Sequence, residues 1–302
     1  MPLSGVLALV VASLLWGTTG TAASFMPADV SPLAIGASTM GVGGILLFAA
    51  TRRAAVAALR DREARRWVLI GAVGVVVYPL AFYAGMDLAG VAVGNVVALG
   101  SGPVFAALLE RLVEGRRLSG RWAVSTALAV AGVAALAVGR EVDAGVGRGA
   151  IVTGVALALI AGLAYALYAY ASSRAIGSSG AGVRSSGVMG AMFGCGAVLL
   201  VPVLLVTGAP LLQSGLTLGI SAYLAIGPMF IAYLLFGIGL RGIRSSAATT
   251  ITLLEPVVAT VLAVVVVGER LAPVGWVGLA LVLVGLTVLV SARRGTKEPV
   301  QP

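Results

Sequence analysis

In the stretch Thr250–Leu262, TITLLEPVVATVL, a glutamate stands inside an apolar or weakly polar run with a proline directly behind it. An ionised carboxylate surrounded by hydrocarbon is costly, and intramembrane carboxylates usually face a cavity or a partner. Glu255 has two functional readings, a contact for a substrate ammonium or a group that exchanges a proton. It also has a structural one, a hydrogen-bonded acid that locks its helix where Pro256 removes a backbone donor. Aromatic side chains recur at helical spacing elsewhere. Tyr78 and Phe82 share one face with Tyr83 beside them, Tyr165 and Tyr168 share another, Tyr233 lies in a third segment, and Trp16 precedes Gly17-Thr18-Thr19-Gly20. Such stripes serve as core, but a tyrosine hydroxyl at mid-membrane needs a partner, which draws these rings toward a cavity. Asn95 adds an amide, and Thr19, Ser101 and Thr252 add hydroxyls. The candidate cavity set is therefore Trp16, Thr19, Tyr78, Phe82, Tyr83, Asn95, Ser101, Tyr165, Tyr168, Tyr233, Thr252 and Glu255, with Pro79, Pro103 and Pro256 as candidate bends.

The same residues argue against other chemistry. The chain has no histidine and one cysteine, Cys195, inside an apolar run that reads as packing. Nucleophilic or metal chemistry needs clustered bases or ligands, and the acids here are isolated in sequence. No catalytic residue, metal site or cofactor is expected, and any proton chemistry falls to carboxylates. Asp87 and Glu110 lie near span ends, where solvated or helix-end roles fit, Glu110 with Arg111, Glu114 and Arg117 close by for an interfacial ion pair.

The elements that hold these residues follow from composition. The 302 residues are 60% hydrophobic and only 10% charged, against about a half and a quarter in soluble domains. The apolar residues lie in runs long enough to span a bilayer. Ten spans are expected, at 3–24, 32–50, 67–87, 91–113, 122–139, 149–172, 185–207, 216–239, 246–267 and 273–292. The first run lacks a basic leader and is long enough to cross, so it reads as a helix rather than a signal peptide. With the N-terminus inside, 17 of the 20 Lys and Arg fall in cytoplasmic segments, and only Arg140, Arg148 and Arg270 lie outside. This bias places both termini in the cytoplasm. The net charge of +9 is then a rim beside anionic lipid and calls for no nucleic acid.

The chain also repeats itself. GSGPVFAALLERLVEGRRLSGRW from Gly100 resembles LLEPVVATVLAVVVVGERLAPVGW from Leu253, with Pro103 on Pro256 and Gly115-Arg116-Arg117-Leu118 on Gly268-Glu269-Arg270-Leu271. Two halves of five spans, 1–145 and 146–302, must sit in opposite orientations because each has an odd number of crossings. Inverted repeats are a signature of secondary transporters, with the site near the midplane between the repeats.

WGTTG in the first span, AFYAGMDLAGVAVGNVVALGSGPVFAALL from Ala81, and LLEPVVATVLAVVVVGERLAP followed by GWVGLALVLVGLTVLV resemble the drug/metabolite transporter superfamily, EamA type, over nearly the whole chain. The resemblance implies an all-α, ten-helix exporter of small metabolites, often amino acids, with a cavity lined by the first, third, fourth, sixth, eighth and ninth spans. Gly115-Arg116-Arg117 departs from it, since the family more often carries glutamate after that glycine. The expected function is outward transport of a small amphipathic metabolite, amino acids first among them, across the inner membrane by alternating access. The partners are the cargo, the bilayer and, as candidate coupling ion, the proton, and the chain is expected as a monomer or weak homodimer. A drug or organic-cation exporter and a passive channel are the alternatives. Phosphorylated cargo needs fixed cations, and here every Arg and Lys stands at a span end or in a loop.

Overall fold

The computed structural model describes residues 2–27, 29–89, 91–115, 119–138, 148–178, 184–267 and 272–290. Among them the chain is almost wholly helical and holds no strand. The helices are α1 (Leu3–Gly17), α2 (Thr19–Ala23), α3 (Pro32–Ala50), α4 (Arg52–Arg60), α5 (Arg62–Ala89), α6 (Val91–Glu114) and α7 (Gly120–Val138). They continue as α8 (Arg148–Ser178), α9 (Ser185–Thr207), α10 (Gly215–Leu224), α11 (Ala232–Gly239), α12 (Ser245–Ile251), α13 (Leu254–Leu262) and α14 (Pro273–Val290). A π-helical turn at Ala225–Ile231 joins α10 to α11, and another at Ala263–Val267 extends α13.

Seven of these segments are long and apolar enough to cross a membrane: Leu3–Ala23, Pro32–Ala50, Arg62–Met86, Val152–Gly177, Ser185–Thr207, Gly215–Gly239 and Ser245–Val266. Gly120–Ala135 and Pro273–Gly285 are shorter apolar helices. Large apolar side chains such as Leu205, Val206 and Leu112 stand exposed on the outside, a surface suited to lipid rather than water.

Local chemistry sets several boundaries. Ser31 caps α3 ahead of Pro32, and the Ala64 N–H donates to Asp61 Oδ1 at 2.8 Å. That cap starts α5 at Arg62, five residues before the expected 67. The arginine-rich connection between the expected spans 32–50 and 67–87 holds a helix of its own, α4, amphipathic with Ala55 and Ala58 buried. Gly115 ends α6 at φ +65°, a left-handed conformation that costs glycine little. The motif residues 116–118 and 268–271, and Arg140, Arg293, Arg294 and Lys297, lie outside the described residues.

The broadest helix pairings are α5 with α8, α3 with α9, and α7 with α14, followed by α6 with α8. Small residues allow these approaches. A Cβ on Gly74 would stand 2.6 Å from the Ala164 carbonyl oxygen, and one on Gly154 2.5 Å from the Ala89 nitrogen. Backbones this close gain dispersion contacts, the main attraction left between helices in lipid. α1 lies against α11 and α13, where a Cβ on Gly17 would meet Val258 at 2.5 Å and the Glu255 carbonyl oxygen at 3.1 Å.

Candidate functional site

The proline-flanked glutamate sits beside a helix break. α12 stops at Ile251, Thr252 and Leu253 form a turn, and α13 restarts at Leu254. Pro256 has no N–H to return to Thr252, whose carbonyl accepts instead from the Glu255 N–H at 2.9 Å. The equivalent proline of the first half differs: α6 runs unbroken through Pro103, and α5 through Pro79. Of the three candidate bends, an interruption is seen only beside Pro256.

Around Glu255 the aromatic side chains form one continuous cluster. Trp16 of α1 meets Tyr233 and Phe236 of α11, with ring centroids 5.0 and 5.4 Å apart. Tyr233 lies 4.3 Å from Phe193 of α9 and 6.0 Å from Tyr168 of α8. Tyr168 leads to Tyr165 at 5.3 Å and to Tyr78 of α5 at 5.9 Å. Tyr78 stacks on Phe82 at 5.3 Å and 20°, and Phe82 meets Tyr83 edge-on at 5.4 Å. Glu255 is partly buried and within electrostatic reach of the hydroxyls of Tyr78, Tyr83, Tyr165 and Tyr233.

Most polar ends in the cluster are paired, as buried polar groups must be. The Trp16 indole N–H donates to the Pro228 carbonyl at 2.7 Å, tying α1 to the π-helical turn. Thr252 Oγ1 donates to the Thr249 carbonyl at 3.0 Å, so the Tyr165 hydroxyl, 2.6 Å away, donates to Thr252. Tyr168 and Tyr233 share a hydrogen bond of 2.8 Å. Among the described residues the Glu255 carboxylate takes no hydrogen bond or ion pair.

Trp16, Tyr78, Phe82, Tyr83, Tyr165, Tyr168, Tyr233, Thr252 and Glu255 thus come together. Ser101 does not join them: its hydroxyl turns back to the Ala98 carbonyl at 3.2 Å, under Gly162 of α8. Thr19 opens α2 half-buried, while its neighbour Thr18 bonds Tyr223 Oη at 2.6 Å. The side chains of Asn95 and Asp87 lie outside the described residues. Glu110 is not solvated but 2% exposed, and the ion pair expected of it belongs to Glu114, whose Oε1 is 3.3 Å from Arg174 Nη1.

Two open crevices flank the cluster without reaching it. One, about 470 Å³, lies among Thr18, Thr21, Phe25, Leu216, Tyr223 and Leu262 and is almost wholly apolar. The other, about 420 Å³, is polar and lined by Glu110, Glu114, Arg174, Arg241, Arg244 and Ser245. Among the described residues no three His, Cys, Asp or Glu side chains gather as metal ligands would. A carboxylate within electrostatic reach of four tyrosine hydroxyls, beside a continuous cluster of rings, is a setting suited to a cationic or ammonium group.

The profile of the EamA-like transporter family matches residues 3–138 and again 152–291. The chain belongs to this family. It is 34% identical over 296 residues to "Uncharacterized transporter YwfM" of Bacillus subtilis, covering 96% of this chain and 94% of that one. An "Uncharacterized transporter" of Clostridium kluyveri is 25% identical over 203 residues, 65% of this chain and 62% of the relative. A solved crystal structure superposes with a TM-score of 0.79 at 25% identity, covering 96% of this chain and 98% of the other. This EamA-like chain is therefore a multi-pass membrane protein of a transporter family.

Two rings and a proline of the site went unseen in the sequence. Phe236 follows Tyr233 at i+3 on one helix face, a spacing that could have marked it. Pro228 interrupts its own apolar run just as Pro79 does. Phe193 carries no local signal, since only the packing of α9 on α11 brings it to Tyr233.

Proposed function

We propose that this EamA-like chain is a secondary transporter that exports small metabolites, amino acids first among them, across the cytoplasmic membrane by alternating access. The observation that carries this reading is the aromatic cluster closing on Glu255 beside the Thr252–Leu253 break. The carboxylate takes the ammonium, the rings take the apolar part, and backbone groups freed at the break take the other polar end. Broken helices beside a substrate site are a transporter feature.

The ten-span count follows if α6, 24 residues long, joins the seven long spans and the two shorter apolar helices. Inverted halves at 1–145 and 146–302 are supported by the pairing of α3 with α9 and of α7 with α14, second with second and fifth with fifth. Such pairs meet on a pseudo-twofold axis in the membrane plane. Protons are the candidate coupling ion, exchanged at Glu255. A monomer holds the whole site.

Purified protein in liposomes, assayed for uptake and counterflow against a panel of amino acids, tests the reading. Saturable counterflow is expected for at least one, with Glu255→Gln reducing flux by about two orders of magnitude, the loss of a desolvated charge contact. No flux for any amino acid overturns the amino-acid assignment, and non-saturable flux points to a channel. A second reading, export of organic cations, is favoured by one observation: among the described residues no cationic side chain stands in the cluster to hold a cargo carboxylate. Counterflow of a carboxylate-free amine, stronger than that of any amino acid, selects it.

A further inference from the structure

The buried carboxylate that the site does not use is Glu110, near the end of α6. Its Oε1 accepts from the Ser245 hydroxyl at 2.8 Å and from the Ser246 N–H at 2.9 Å, and its Oε2 accepts from the Ser246 hydroxyl at 2.8 Å. These are the first two residues of α12, so a carboxylate from one helix caps another whose N–H groups have no partner of their own. Trp122 Nε1 reaches the Ser246 carbonyl at 3.4 Å, and Thr126 Oγ1 lies 3.1 Å from Thr250 Oγ1. Seven residues from late in the chain are thus gripped by three side chains from α6 and α7. Every residue of α12 is buried, four of them Ser or Thr.

Both ends of α12 are free of helix. Leu240–Arg244 precede it as a turn, and Thr252–Leu253 follow it as the break beside Glu255. The polar crevice of about 420 Å³ has Glu110 and Ser245 among its lining residues. At the other end, Thr252 holds Tyr165 of the aromatic cluster. α12, about 10 Å long at 1.5 Å per residue, thus runs from the crevice at Ser245 to the turn that holds the cluster.

We infer that α12 is a gate at the arginine-rich end of the molecule, held shut by Glu110 and swinging about the Thr252–Leu253 break. The inference rests on the transport reading above. When the three bonds to Glu110 part, the crevice and the cluster join into one path. The break then links the gate to the site, because the turn that hinges α12 also carries the hydroxyl that accepts from Tyr165.

The test needs no cargo. In a Cys195→Ser background, Thr249→Cys places a thiol at a fully buried position of α12. A membrane-impermeant thiol reagent is added to oriented vesicles from either face. Glu110→Ala is expected to raise the labelling rate from the face bearing Arg66 and Arg174 by about tenfold or more, with no rise from the other face. Glu110→Gln, which keeps one acceptor oxygen, should fall between. A rate that is unchanged, or that rises equally from both faces, overturns the gate. If Glu110→Ala does not fold, Ser246→Ala answers the same question by the same criterion, with a smaller one-sided rise expected. One-sided opening without amino-acid flux would leave the gate standing and remove only the cargo assignment.

Discussion

At the residue scale, the hydroxyls of Tyr165, Tyr168 and Tyr233 are each held by one neighbour. Tyr168 and Tyr233 are nearly fully buried, and their shared hydrogen bond spans α8 and α11. Tyr168→Phe keeps the ring and leaves the Tyr233 hydroxyl without its partner, an expected loss of about 1–2 kcal/mol. Tyr233→Phe should cost a similar amount, and the double variant less than the sum, because no orphaned hydroxyl then remains. Thermal unfolding of the four proteins in one detergent measures the cycle. Strict additivity would show that the two hydroxyls do not depend on each other. Glu255 differs in kind from these tyrosines. With no hydrogen bond or ion pair among the described residues to lose, its replacement should act on flux far more than on unfolding temperature.

At the scale of elements, the helices that carry the rings are placed by glycines. Tyr78 and Phe82 face Tyr165 and Tyr168 because α5 and α8 run at backbone contact along Gly74, Gly85 and Gly154. Gly154→Ala puts a methyl 2.5 Å from the Ala89 nitrogen, where no flexible side chain can move aside. The expected destabilisation is about 1–3 kcal/mol, the usual cost of overpacking. Gly20→Ala is the control: nothing lies within 4 Å of the added methyl, and alanine favours the helical state. Its unfolding temperature should be equal or slightly higher, so a drop matching that of Gly154→Ala would mean glycine content, not contact, governs stability. The hydrophobic pattern announced both helices. It gave no sign of their close approach, since a glycine in an apolar run looks the same whether it faces lipid or a backbone.

At the scale of the whole molecule, charge gathers at one end. Arg66 and Arg174 lie 5.7 and 5.4 Å from the Trp67 ring, and Arg174 pairs with Glu114, so the start of α5 and the ends of α6 and α8 meet there. α4 adds Arg52, Arg53 and Arg60. By the positive-inside rule we propose that this is the cytoplasmic face. Reporter fusions at the two ends of the chain, and single cysteines at Arg60 and Asp29 in a Cys195→Ser background, read the topology directly. Both fusions and residue 60 should report the cytoplasm and residue 29 the opposite side. Termini on different sides would contradict ten crossings and, with them, the inverted halves.

The sequence by itself determined the membrane class, the family and most of the long apolar helices, because hydropathy and length are local sums along the chain; α4 and the break between α12 and α13 lay beyond it. It also marked most of the rings that meet, since a tyrosine in an apolar span is costly wherever it stands. The tertiary structure alone decided the rest. Ser101 turned back on its own helix, while Phe193, with nothing local to mark it, entered the cluster. Glu110, which by sequence could have been an interfacial ion pair, became the cap of a distant helix. The paired prolines Pro103 and Pro256 share a sequence context, yet only α12 and α13 part beside theirs. Each of these depends on how a helix is rotated and what crosses it, and that is set by contacts between segments far apart in the chain.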